Sequence, residues 1–277
     1  MHGGRRENEG RRGAPRPTLR LLAPRPTPRP RRQNSGGRGV GRPIRGERSK
    51  GASVVNARAI WVPLLALTVS TAVWAGDRVV VEDWSKPRLG SRGVPDGWKG
   101  QSWGHPAYDL VVEEDDGRRV LHLRSRDEGS TITKEIEGRV HLDETPVLEW
   151  SWKVVTLPRG GDCRHADTDD EAAQIYVAWP RFPEALRSRI IGYVWDTSAP
   201  AGTVVRSEKT STVTYVVVRS GPAQLGRWLT ERRNVVEDFK RIYGEAPPSP
   251  GAVSVSIDSN DTRSAAESYV GEIAFTP

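Results

Sequence analysis

The chain has 277 residues, with 42 Lys and Arg against 35 Asp and Glu, a net charge of +7. Residues 1–75 carry 16 basic and 3 acidic side chains, so residues 76–277 carry 26 and 32, a net of −6. The basic character belongs to the N-terminal quarter, and the acidic remainder argues against specific nucleic acid as a partner. A single cysteine, Cys163, excludes an intrachain disulfide.

Residues 1–50 are Arg, Pro and Gly with few large apolar side chains. Such a stretch cannot bury enough surface to offset its ordering entropy and is read as a disordered extension. Residues 51–75 hold the uncharged run AIWVPLLALTVSTAVWA after Arg58. That pattern reads as a secretory signal with Val73-Trp74-Ala75 before the cleavage point, or as a membrane anchor behind a basic cytoplasmic arm. Met1 is the only methionine, so the first 50 residues are expected to reflect a misplaced start, with Val54 or Val55 as a non-AUG initiator. The expected address is periplasmic or secreted, with membrane contact only through an uncleaved signal.

Residues 76–277 are long enough for one self-sufficient core. Short alternating runs follow at intervals: RVVVEDW, YDLVVE, RVLHLRS after the turn Asp115-Asp116-Gly117, and STITKEI. Leu148, Trp150, Trp152 and Val154 share one face of the next strand; Glu149, Ser151 and Lys153 share the other. After the acidic loop Asp162–Glu171 come AAQIYVAW, IIGYVW and TVTYVVVR. One helix is expected over residues 230–243, capped by Thr230 and stopped at Gly244. A final strand pair, with Val253, Val255 and Ile257 in the first strand, leads through SNDTRSAAES to YVGEIAF. The fold class is all-β: an antiparallel β-sandwich of jelly-roll type with one helix.

The segments Trp150–Trp152, Asp162, Asp169-Asp170 and Ile175-Tyr176-Val177 resemble the bacterial family known as domain of unknown function 3047. So do Tyr193-Val194-Trp195, then Trp228 with Glu231, Arg233, Asn234 and Asp238, then Asp258–Thr262 with Tyr269. The resemblance spans about Val80 to Phe275. It implies an exported β-rich protein of unassigned function and, by fold analogy, a jelly roll similar to galactose-binding-like and carbohydrate-binding modules.

Ten Trp against three Phe suggest rings that stack on sugars. Trp150 and Trp152 read as core, because they share a face with Leu148 and Val154. Tyr193 and Trp195 share a face with Ile191 and read first as core, with ligand contact as the second role. Trp98 and Trp103, in Gly-flanked loops, are the better exposed platforms. Asp162, Asp169, Asp170, Asp258 and Asp261 offer hard oxygens, so Ca²⁺ at Asp258 and Asp261, or at Asp169 and Asp170, is the candidate ion. Solvated or turn-shaping roles are the alternative for all of them. Arg233 and Asn234 could add polar contacts, and Arg233 could equally form an ion pair. No G-x-S-x-G, H-E-x-x-H or P-loop occurs, and no organic cofactor motif. The expectation is an exported, non-catalytic sandwich that binds a glycan or cell-envelope component. A polysaccharide-active enzyme using carboxylates of the Asp162–Glu171 loop, or a structural module, are the alternatives.

Overall fold

The computed structural model describes residues 77–277. The extension over residues 1–50 and the signal over 51–75 lie outside the described residues. In chain order the strands are β1 (Val79–Glu82), β2 (Lys99–Gly100), β3 (Asp109–Asp115), β4 (Arg118–Arg126), β5 (Gly129–Glu135), β6 (Val147–Thr156), β7 (Ala173–Trp179), β8 (Arg189–Asp196), β9 (Val204–Arg206), β10 (Val213–Ser220), β11 (Leu229–Asn234), β12 (Ala252–Asp258) and β13 (Ala265–Thr276). A one-turn helix α1 (Glu184–Arg187) precedes β8, and α2 (Val235–Tyr243) follows β11.

These strands form the expected sandwich of two sheets. The first has the order β11-β6-β13-β4-β3, with β1 also paired to β13. β13 is long enough to take β4 along Ala265–Val270 and β1 along Ile273–Phe275, while β6 lies on its other side. The second sheet has the order β2-β5-β12-β7-β8-β10-β9. Its ladders are antiparallel except β8–β10, which is parallel because the chain between them crosses over and adds β9 at the edge. The second sheet is therefore mixed.

The two-residue period of β6 explains the core. Leu148, Trp150, Trp152 and Val154 are buried, while Glu149, Ser151 and Lys153 are only partly so. Trp150 meets Trp152 edge-on at 5.3 Å and Tyr193 at 5.3 Å; Trp152 meets Trp195 at 6.0 Å. β6 thus interlocks with β8 of the facing sheet. Burying each such ring removes roughly 150–250 Å² from water, which makes these rings dominant contributors to the core.

The helix starts later than expected. Leu229–Asn234 is strand, paired residue for residue with β6 from Trp152 back to Val147. The cap is Asn234, whose side chain accepts from the Glu237 N–H at 3.1 Å, and not Thr230. The polar run TERRN hides a strand because its inward residue is Glu231, held by Arg219 at 2.7 and 3.0 Å and by the Trp152 indole at 3.2 Å. Gly244 does end the helix, in the left-handed region at φ 75°, donating to the Lys240 carbonyl. Phe239 seats α2 on Trp179 at 4.6 Å.

The two outer faces differ. Cys163, Val194, Ala199, Val213, Tyr215 and Val217 make a second, smaller core on the outside of the seven-stranded sheet. The loops before β7 and after β8 cover that face. The outer face of the six-stranded sheet carries mostly charged, aromatic and hydroxyl side chains.

Candidate functional site

The acidic loop folds against the covered face. Asp162 closes it, donating its N–H to the Thr168 carbonyl at 2.7 Å and gripping Arg164 through two hydrogen bonds at 2.8 and 2.6 Å. Those bonds hold its carboxyl below the usual range. Asp170 is fully buried, and its two oxygens accept from the amides of Asp261 and Thr262 at 3.1 and 2.6 Å. Asp258 accepts from the Glu171 amide and the Gln174 side chain, both at 2.7 Å. Asp261 pairs with Lys209. Asp169 accepts weakly from Tyr215 and Ser207, and burial pushes its carboxyl up to about 6 against the pull of Lys209. The start of β7 and the β12–β13 loop thus bring Asp169, Asp170, Asp258 and Asp261 together, and most of their oxygens already hold donors.

Arg233 does not join them. It lies at the Val147 end of β6, whose ten residues span roughly 33 Å. There it grips buried Asp238 at 2.9 and 2.5 Å, and Tyr193 adds a hydrogen bond to the same carboxylate at 3.1 Å. Asn234 is the helix cap. Tyr193 and Trp195 are core rings. Trp98 is also inside: it stacks on Trp84 at 5.5 Å and donates to buried Glu82 at 2.9 Å, so it is no platform. Trp103 is 63% exposed, on the loop that follows β2.

The fold brings Asp196, which the sequence did not single out, to two groups of the acidic loop itself, Cys163 and Glu171. The Cys163 sulfur and one carboxylate oxygen each of Glu171 and Asp196 lie within 4.8 Å of one another. Asp196 is oriented by three amides, those of Cys163 at 2.8 Å, Ser198 at 2.6 Å and Ala199 at 2.5 Å. Glu171 is 0% exposed, and among the described residues neither of its oxygens has a hydrogen-bond partner. Burial, then the charges of Asp258, Asp169, Asp196 and Asp170, push its carboxyl well above the usual range. Burial also raises the Cys163 thiol. Sequence spacing could not reveal this trio, because the segments are separated by a strand pair.

The open face is built by register. Tyr269 sits directly opposite Lys153 on β6 and His122 on β4. His122 stacks on Tyr269 at 4.1 Å, and the Lys153 ammonium lies 4.3 Å from the Tyr269 ring and 5.4 Å from Trp228. Trp228, just before β11, meets Tyr269 at 6.4 Å and donates its indole N–H to Asp115 at 2.6 Å. Burial acts to raise the Asp115 carboxyl, but hydrogen bonds from Lys153 and Trp228 hold it below its ordinary value. At Gly271 a Cβ would sit 2.3 Å from the Ser151 hydroxyl, and at an ordinary 3.5 Å from Trp228. Glu113 and Glu267 flank His122 at 3.1 and 2.8 Å. On the same face a cleft of about 370 Å³ is lined by Arg118, Arg119, Glu149, Ser151, Thr230 and Glu272. A larger groove of about 650 Å³ lies elsewhere, among α1, β9 and α2. Its arginines are already engaged, Arg189 with Glu245, Arg241 with Asp238 and Arg206 with the Ser211 carbonyl.

Among known proteins, the model of a family described as "Protein of unknown function (DUF3047)" matches residues 96–274. No curated protein matches the chain. Solved structures share its outline at low similarity. The family 30 carbohydrate-binding module of a cellulosomal cellulase of Clostridium thermocellum is 13% identical, with 72% of this chain and 97% of that one covered and a TM-score of 0.38. The CBM22-1 xylan-binding domain of Paenibacillus barcinonensis Xyn10C is 14% identical over 73% and 95%, with a TM-score of 0.36. The K2 cleaved adhesin domain of Lys-gingipain is 8% identical over 73% and 100%, with a TM-score of 0.37.

Proposed function

The chain belongs to the DUF3047 family of unknown function, and we propose that it is an exported binding protein that holds a glycan on the open outer face of its six-stranded sheet. One observation carries this reading: the row Trp228, Lys153 and Tyr269, across two neighbouring strands and the start of a third, with buried His122 stacked against Tyr269. A pyranose presents apolar C–H faces and equatorial hydroxyls. Aromatic faces take the first, and charged side chains around them take the second. Tyr269 and Trp228 supply faces, while Arg118, Glu267 and Ser151 stand within the same surface. The 370 Å³ cleft would take the next unit of a chain.

A polysaccharide-cleaving role for the Asp162–Glu171 loop has less support. Asp169, Asp170 and Glu171 are buried, and a glycosidase needs a carboxyl pair open to the sugar. Export is read from the apolar segment before residue 76, so periplasmic or secreted location belongs to the proposal too.

The test is affinity electrophoresis and calorimetry against a panel of soluble envelope and plant polysaccharides. Tyr269→Ala should weaken any binding at least ~10-fold, the order expected for losing one ring contact of about 1.5 kcal/mol, with the melting temperature little changed. Binding that survives both Tyr269→Ala and Trp228→Ala would place the ligand elsewhere. Absence of binding across the panel would end the glycan reading.

A further inference from the structure

We propose that Cys163, Glu171 and Asp196 form a buried site for a divalent transition ion of the zinc class, held between the covered face of the seven-stranded sheet and the loops over it.

Two independent observations meet here. The first is convergence: one sulfur and two carboxylate oxygens, from the β6–β7 loop and the end of β8, lie within 4.8 Å of each other. Ligand atoms around a zinc ion, at about 2.3 Å for sulfur and about 2.0–2.2 Å for oxygen, stand at comparable separations. The second is Glu171 itself, a fully buried side chain whose two oxygens have no hydrogen-bond partner among the described residues. A buried carboxylate without a partner is costly, and native proteins pair such groups or bind a metal with them.

Among the described residues no cation pairs with Glu171. The groups acting on Glu171 are Asp258, Asp169, Asp196 and Asp170. Lys209, the ammonium that acts on Asp169 and Asp258, is paired to Asp261. Asp196 has the oriented character of a good ligand, because three amides fix its plane. One of those amides is that of Cys163, so the thiol and the carboxylate are tied to one geometry.

The donor set selects the ion. Ca²⁺ and Mg²⁺ take oxygen ligands only, and a thiolate turns the preference toward zinc and its neighbours. Cys163 binds as thiolate, so the S–H proton goes to solvent as the metal–sulfur bond forms, and affinity rises with pH. This differs from calcium at Asp169, Asp170, Asp258 and Asp261, whose oxygens mostly serve as acceptors for amides, hydroxyls and Lys209. It is also independent of the glycan reading, which concerns the opposite outer face.

The experiment uses the full chain, stripped with chelator and titrated with Co²⁺ and Zn²⁺. Cys163 is the only cysteine, so a sulfur-to-cobalt charge-transfer band reports this site alone. We expect one cobalt per chain in that band, displacement by Zn²⁺, and a melting temperature raised by Zn²⁺ but not by Ca²⁺. Glu171→Gln should keep the fold and lose at least ~10-fold in affinity, and Cys163→Ser should lose the band. Asp167→Asn, exposed on the same loop, should bind as the parent does. The proposal is overturned if no sulfur band forms, if Ca²⁺ stabilises as Zn²⁺ does, or if Glu171→Gln binds cobalt unchanged. It is equally overturned if Glu171→Gln is as stable as the parent and neither responds to metal, because Glu171 is then simply a protonated acid.

Discussion

The two outer faces of the sandwich use the same device for different ends. On each, a glycine in an interior strand leaves no space for a Cβ, against a different kind of neighbour. At Gly192, a Cβ would strike the Tyr176 ring at 2.6 Å and the Tyr215 ring at 3.1 Å. Those rings belong to the covered face, where loops close over them and acids are buried beneath. At Gly271, the obstacle to a Cβ is the Ser151 hydroxyl, which can rotate, and Trp228 stands farther off. There the charged groups are partly open and paired with one another, as Lys153 is with Asp115. The covered face is packed with apolar rings and buried acids, and the open one with paired charges.

The largest effect that would test this contrast is on the tie between loops. Asp170→Ala removes a buried acceptor from two amides, each a charge-assisted bond, and should cost about 3 kcal/mol in denaturant unfolding. It should also speed hydrogen exchange at Asp261 and Thr262. A loss below about 1 kcal/mol would mean the loops hold the covered face without it. Next come the two glycines. Gly192→Ala should cost about 1–3 kcal/mol through overpacking against the tyrosines. Gly271→Ala should cost less than about 1 kcal/mol, because the Ser151 hydroxyl can turn aside. Equal costs in thermal melts would erase the distinction between the faces.

The smallest effect is on pH. Asp115 has a lowered pKa in the folded chain, so its stabilisation is present above its ordinary value of 3.8 and is lost as pH falls through the lowered one. Asp115→Asn should therefore be less stable than the parent by under about 1 kcal/mol at neutral pH, and the gap should close in strong acid. A gap that widened in acid would show that the lowered pKa is misassigned.

Much of the sandwich was legible from alternation. Trp150, Trp152 and Val154 declare the inward face of β6 without help, and the same period placed Lys153 and His122 on outward faces. β11 was not legible, because Glu231 points inward where an apolar residue would mark a strand, and its partners Arg219 and Trp152 lie outside the segment. Nor was the parallel pairing of β8 and β10, since ladder direction depends on the crossover path. Tyr269, Lys153 and His122 sit in strands far apart in sequence, so only register joins them. Trp98 misled because Gly neighbours signalled an exposed loop, whereas its indole was needed by buried Glu82. Asp196, and its meeting with Cys163 and Glu171, escaped because convergence is a property of the fold.

β12 and β13 stand at the middle of their sheets, β12 between β5 and β7 and β13 between β6 and β4. Both are the last strands of this sequence. Neither sheet can close until residues 252–276 take their places between strands from earlier in the sequence. A deletion of Ala265–Thr276 would therefore split one sheet down its centre, leaving β11-β6 and β4-β3 as separate ribbons.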